Sequence, residues 1–346
     1  MLTPTSSTNA PAHVEDKLTS KWRVWRILVA VLLTLSVLLM VGYTGVSFYI
    51  ATQMQIGQHP PIYATPASLG LQYKNVTFPS RYDNLQIKGW FIPGILPNGQ
   101  LTSQRTILLV HGTDNNRADP SAGLLNLSSD LVHHGFAVLA FDLRGNGESP
   151  AAPRSFGLYE QRDVLGAVDF LHSGALPYPE LGRTHAIAAW GDSLGGATVI
   201  FAAANEPAIK AVVSDSSYAD VLPRIERAVP AAGVPAMFTP GGLVVAQWLY
   251  GIDYYNIKPA SAIAKIAPRP ILLIHGANDN KDHKTTPPEH IYLLAAAALD
   301  APNANVQTWM VPGAKHIQAY HVEGQAYVDR IVAFYTAALG PDTSGS

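Results

Sequence analysis

Ala188-Ala189-Trp190-Gly191-Asp192-Ser193-Leu194-Gly195-Gly196 is an apolar run that enters a tight turn around a serine and leaves it into small residues of helical character. The pattern is G-x-S-x-G at the junction of a strand and a helix. A serine held on such a turn projects its hydroxyl from a strand end, and glycines at 191 and 195 let neighbouring backbone pass where a Cβ would clash. The helix that follows begins with backbone N–H groups lacking intrahelical partners, and that of Leu194 is placed to face a developing oxyanion. Ser193 is therefore the candidate nucleophile. A tight turn with an incidental serine is the competing reading.

Outward from this turn, short β-branched runs alternate with stretches of helical period. Residues 73–78 and 86–92 read as an opening antiparallel pair. Buried strands follow at 106–110, 137–141, 186–190, 211–214, 271–274 and 306–311, with helices near 121–134, 158–173, 194–204, 288–299 and 324–339. Such alternation predicts a mostly parallel eight-stranded α/β sheet with helices on both faces, and ligands at the carboxyl ends of its strands. Residues 218–266, with Pro223, Pro230, Pro235 and Pro240, break the rhythm and read as a small cap insertion. Met237, Phe238, Trp248, Leu249, Tyr250, Tyr254 and Tyr255 give the cap apolar surface that either lines a pocket for a hydrophobic acyl or alcohol group or packs the cap onto the domain.

The chain of 346 residues carries a formal net charge of −2, which leaves no basic footprint for nucleic acid, and its lack of cysteine removes thiolate chemistry. Residues 27–50 hold no charged side chain and are long enough to cross a bilayer core. Lys17, Lys21, Arg23 and Arg26 precede the run, and no Lys or Arg follows before Lys74. The positive-inside rule then leaves the N-terminus, residues 1–26, as a cytoplasmic tail, with its first 20 residues disordered. A cleaved signal peptide is the alternative for the apolar run. Residues 51–72, with Pro60, Pro61 and Pro66, read as a linker holding a domain at 73–340 off the membrane.

From about Tyr73 to Leu339 the sequence resembles the α/β-hydrolase family. His111-Gly112-Thr113 follows the third strand, Asp142-Leu143-Arg144-Gly145-Asn146-Gly147-Glu148-Ser149 follows the fourth, and His275-Gly276-Ala277-Asn278-Asp279 and Pro312-Gly313-Ala314-Lys315-His316 follow the seventh and eighth. The resemblance implies an α/β-hydrolase fold, in which the D-x-R-G turn ties loops together. It also implies an oxyanion hole from the backbone N–H groups of Thr113 and Leu194, with His316 as base and Asp279 as the acid that orients it. Asp282 and Asp215 are rival acids, and His321 is a rival base. His133, His134, His172 and His290 read as helix-surface residues, and His111 and His275 as partners of backbone groups. Asp279, Asp282 and His283 lack a further ligand set, so no metal and no cofactor is expected. The pattern is most similar to the branch containing monoacylglycerol lipases, bacterial membrane-associated hydrolases and serine aminopeptidases. It implies a small-molecule or lipid-like acyl substrate cleaved at an ester. Amide cleavage, acyl transfer and a non-catalytic binding module stand as alternatives, and the oligomeric state is left open.

Overall fold

Val-, Ile-, Leu- and Ala-rich runs bury both faces of a strand, and five such runs together with a half-exposed edge strand at 306–311 form the parallel part of one eight-stranded sheet. In the computed structural model, which describes residues 12–279 and 286–342, the strands are β1 (Lys74–Pro79), β2 (Gln86–Ile92), β3 (Arg105–Val110), β4 (Ala137–Phe141), β5 (Ala186–Asp192), β6 (Ile209–Asp215), β7 (Ile271–Gly276) and β8 (Val306–Val311). Their spatial order is β1-β2-β4-β3-β5-β6-β7-β8. The β1–β2 and β2–β4 pairs are antiparallel and the others parallel. The expected strands are all present. A short hairpin of Gly94–Ile95 with Leu101–Thr102 lies outside them.

Ten α-helices accompany the sheet among the described residues: α1 (Ala12–Gln55), α2 (Leu124–His133), α3 (Gln161–His172), α4 (Leu194–Asn205), α5 (Leu222–Ala231), α6 (Thr239–Tyr250), α7 (Pro259–Ile263), α8 (His290–Leu299), α9 (Ala319–Glu323) and α10 (Gln325–Leu339). Two buried clusters, one on each sheet face, form the core. One joins α3, α4, α8 and the cap to the sheet, and the other joins α2 and α10 to it. The cap is helical. Three of its helices begin with proline in the first turn, where the missing N–H has no intrahelical acceptor to lose.

The N-terminal region departs from the sequence reading. Residues 12–20 are helical where disorder is expected, the remainder of that expectation, residues 1–11, lies outside the described residues, and α1 continues to Gln55, five residues past the expected span. At about 1.5 Å per residue its 44 residues measure roughly 66 Å, about twice a bilayer core. Its most apolar stretch packs on nothing among the described residues, and the helix is long and apolar enough to cross a membrane.

The last three turns of α1 dock on the cap. The Tyr43 hydroxyl donates to the Met237 carbonyl at 3.2 Å and its ring lies 5.2 Å from that of Phe238. Ser47, Ile50 and Ala51 are buried, and Gln55 Nε2 donates to the Tyr254 hydroxyl at 2.6 Å. Contacts advance together along both chains, so α1 and α6 run in the same direction. Gly241 and Gly242 make the approach possible, because a Cβ at 242 would meet the Ile50 side chain and one at 241 would meet Ser47 and Tyr43. The segment after α1 is then strapped to the domain: Asn116 Nδ2 donates to the Pro60 carbonyl at 3.0 Å, and the His59 ring lies 2.8 Å from the Gly147 carbonyl. The expected spacer is thus a strap. Apolar surface at the end of α1 is better covered by the cap than left in water.

Gly242→Leu should separate α1 from α6 and cost about 1–3 kcal/mol by overpacking. The expected result is a melting temperature lowered by several degrees for the full chain in detergent micelles, whereas an unchanged value would show that the docking adds little stability.

Candidate active site

Ser193 stands between β5 and α4 with φ 51° and ψ −113°, a left-sided backbone conformation that a non-glycine residue adopts only when its surroundings force it. The forcing is visible. A Cβ on Gly191 would strike the backbone of Gly195 and Gly196, and one on Gly195 would strike the Val110 and His111 carbonyls, so strand and helix pass at backbone contact. The Ser193 N–H donates to the Asp215 carbonyl at 2.8 Å, which pins the turn to the neighbouring strand.

The structure brings together Ser193, His316 and Asp279 from three separate strand ends. His316 Nε2 lies 3.0 Å from Ser193 Oγ, and His316 Nδ1 lies 2.7 Å from Asp279 Oδ2. An ionised carboxylate only accepts, so Nδ1 carries the proton and Nε2 is left to accept from the serine hydroxyl. The same Asp279 oxygen lies 3.0 Å from His275 Nε2, which also reaches the Thr286 carbonyl at 3.0 Å. Burial pushes the Asp279 carboxyl up, but hydrogen bonds from His275 and His316 more than offset it and hold the group below the ordinary carboxylate range. The acid is therefore charged at neutral pH. The loops carrying Asp279 and His316 are joined directly, since the Asn278 N–H donates to the Ala314 carbonyl at 2.8 Å.

Gly112, Thr113, Ser193, His316 and Ile317 line a cavity of about 330 Å³. Leu194 is the first residue of α4, so its N–H has no intrahelical acceptor. Thr113, in the loop after β3, lines the same cavity as Ser193.

The rivals have other partners. Asp215 is buried, and its carboxyl accepts from the Ser216 hydroxyl at 2.8 Å and the Tyr327 hydroxyl at 2.9 Å. Ser216 Oγ in turn accepts from the Ile317 N–H at 3.1 Å, so this carboxyl holds the loop that carries His316. His321 faces the Pro120 and Ser121 carbonyls. Asp282 and His283 lie outside the described residues. No cluster of three or more metal-ligating side chains occurs among the described residues.

Several supporting residues escaped the sequence. Trp190 Nε1 donates to Tyr327 at 3.0 Å, so a helix 137 positions away braces Asp215. His290 was expected on a helix surface; it is buried instead, with Nδ1 accepting from the Ala219 N–H at 3.0 Å, and burial pushes its pKa down. His275 as a second partner of Asp279 was foreshadowed by its place four residues earlier. His111 does serve backbone: Nε2 accepts from the Leu143 N–H at 3.0 Å and Nδ1 donates to the Gly112 carbonyl at 2.7 Å. The D-x-R-G turn ties loops. Asp142 accepts from the Arg117 and Glu148 N–H groups, and Arg144 pairs with Asp163 and Asp83. The cap aromatics do not border the Ser193 cavity. Trp248 is 80% exposed, while Phe238 and Tyr254 are occupied with α1 and its neighbours.

Asp192 is fully buried beside the serine, and burial, followed by the nearby Asp119 and Asp215 charges, pushes its carboxyl well above the ordinary range. A carboxyl raised on folding contributes stability that is complete below about pH 4 and declines as pH rises towards its folded value. Asp192→Asn cannot ionise, so its melting temperature relative to the native chain should climb from pH 5 to pH 8. A pH-independent difference in thermal unfolding would show that Asp192 is already ionised.

Comparison with known proteins agrees with this architecture. A family model described as the alpha/beta hydrolase fold matches residues 105–239. The chain is 27% identical over 262 residues to the uncharacterized protein YfhR of Escherichia coli K12, covering 75% of this chain and 79% of that one. The Pyrococcus furiosus esterase Pf2001 superposes with a TM-score of 0.64 at 24% identity, covering 82% of this chain and all of that one. The Pseudomonas aeruginosa protein PA2218 superposes with a TM-score of 0.55 at 22% identity, covering 78% and 94%. With its eight strands in this order and the G-x-S-x-G turn between β5 and α4, the chain has the α/β-hydrolase fold.

Proposed function

We propose that the protein is a membrane-anchored serine hydrolase that cleaves esters through an acyl-enzyme on Ser193. The observation that carries this reading is the continuous hydrogen-bonded line from Asp279 Oδ2 through His316 to Ser193 Oγ. The fold shared with an esterase supports it, as do motifs similar to those of lipases and membrane-associated hydrolases.

The chemistry follows from the positions. Ser193 Oγ adds to the substrate carbonyl carbon as its proton passes to His316 Nε2, and the charged Asp279 stabilises the imidazolium. The carbonyl oxygen becomes an oxyanion that accepts from the Thr113 and Leu194 N–H groups. Collapse expels the alcohol, which takes the proton from His316. Water, deprotonated by the same nitrogen, then releases the acid and restores the serine. No step uses a metal or a cofactor.

A fluorophosphonate should label the full chain at Ser193 alone, with labelling abolished in Ser193→Ala. Asp279→Asn should lower kcat by roughly 10³–10⁴-fold, because an amide can donate to the histidine and favour the wrong tautomer. Labelling of other residues, or a folded chain that resists the probe, would remove the hydrolase reading.

The charges that precede the apolar run within α1 support an orientation. Lys21, Arg23 and Arg26, on the N-terminal side of the apolar run, favour a cytoplasmic N-terminus with the catalytic domain outside. Because the chain has no native cysteine, single replacements report topology cleanly. A membrane-impermeant maleimide should label Asn98→Cys in intact cells and Ser6→Cys only after lysis. The reverse pattern would invert the topology, and loss of Ser6 from the mature chain would indicate a cleaved signal.

A further inference from the structure

A second cavity, of about 340 Å³, lies beside the first, and its walls are drawn from two places that a soluble hydrolase domain would not combine. Tyr49, Ile50 and Met54 of α1 form one side, while Ile225 and Val229 of α5 face them. The lining is apolar apart from Gln53 and two arginines. Those two, Arg154 and Arg224, also border the cavity at Ser193, so the volumes share a wall. Each is within the size range of small-molecule sites.

We infer that this second cavity is the binding site for the acyl chain of an ester lipid, with the membrane helix itself as one wall. The inference rests on the hydrolase reading above and adds a substrate class to it. Three observations carry it. The cavity adjoins the serine only across Arg154 and Arg224, whose guanidinium groups sit 5.7 Å and 5.4 Å from the Phe156 ring, leaving methylene stems beside an apolar path. A lipid ester has a polar alcohol and a long apolar acyl part, and one polar and one apolar cavity on either side of a carbonyl match that division.

The position relative to the bilayer is the third. Residues 30–45 of α1 are exposed, whereas Ser47, Ile50, Ala51 and Gln55 are buried against the cap while Phe48 and Tyr49 still face outward, so the cavity begins where the helix leaves the apolar span. Beside it the cap presents Met237, Val244 and Trp248 to the outside, an apolar face suited to the headgroup level. A chain lifted from the outer leaflet would pass from lipid into the cavity without crossing water.

Arg154 adds a structural link between the two volumes. It is bidentate to Asp114 at 3.0 Å for each oxygen, next to Thr113, and it also donates to the Met54 and Ile56 carbonyls at the end of α1. The helix end and the oxyanion loop are thus held by one side chain.

The test uses the full chain in phosphatidylcholine vesicles and a glycerol myristoyl ester carrying a diazirine at the chain end. Photolysis should cross-link residues 49–54 and 225–234, the cross-link should persist in Ser193→Ala, and it should fall at least tenfold in Ala228→Trp, which fills the cavity. Ala232→Trp, at a more exposed lining position, guards against a folding defect in the first variant. In both variants the rate on the myristate ester relative to that on p-nitrophenyl butyrate should fall at least tenfold below the native ratio. Cross-links elsewhere, cross-links indifferent to both tryptophans, or parallel loss on both esters in folded variants would overturn the assignment. A cross-link at these residues in a chain that hydrolyses neither ester would instead leave the cavity assigned and remove the hydrolase reading.

Discussion

Everything at the site depends on the backbone of Ser193 being held at positive φ. A strand that ends in the middle of a parallel sheet must reverse into its helix within one residue, and only bare backbone at 191 and 195 lets the two pass. That geometry costs on the order of 1–3 kcal/mol for a serine. It is offset by the packing of β5 and α4 in the centre of the sheet and by the bond from Ser193 N–H to β6. The same reversal exposes the hydroxyl and turns the free N–H of the first helical residue towards it.

A second layer fixes what approaches that hydroxyl. Asp279 and His316 arrive on loops that bond to one another, and the Asp215 carboxyl secures the histidine loop from beneath through Ser216. Asp215 shows how a carboxylate in a familiar place can serve a different purpose. Its two oxygens accept from Ser216 and Tyr327, so it supports the loop of His316 without touching that histidine.

The third layer is the joint between helix and cap. Apolar residues at the end of α1 need cover, and two adjacent glycines in α6 supply a surface close enough to provide it. This contact makes the end of α1 part of the domain's structure, and it creates the apolar cavity beside the serine as a consequence. Proline-rich sequence in the cap looked irregular when read alone, yet Pro223, Pro240 and Pro259 begin helices, where their lack of an N–H costs nothing.

By itself the sequence determined the strand and helix order, the G-x-S-x-G turn, and the loops carrying Asp279 and His316, because these are local patterns: periodicity over a few residues, or a glycine spacing that one turn requires. It also determined that one segment suits a bilayer. Which carboxylate pairs with the histidine was decided by tertiary structure, since Asp215 and Asp279 differ only in the neighbours that the sheet brings to them. The burial of His290, the docking of α1 on α6 and the cavity between α1 and α5 were likewise settled in three dimensions. Each joins residues scores to hundreds of positions apart, and no local pattern encodes which apolar faces will meet.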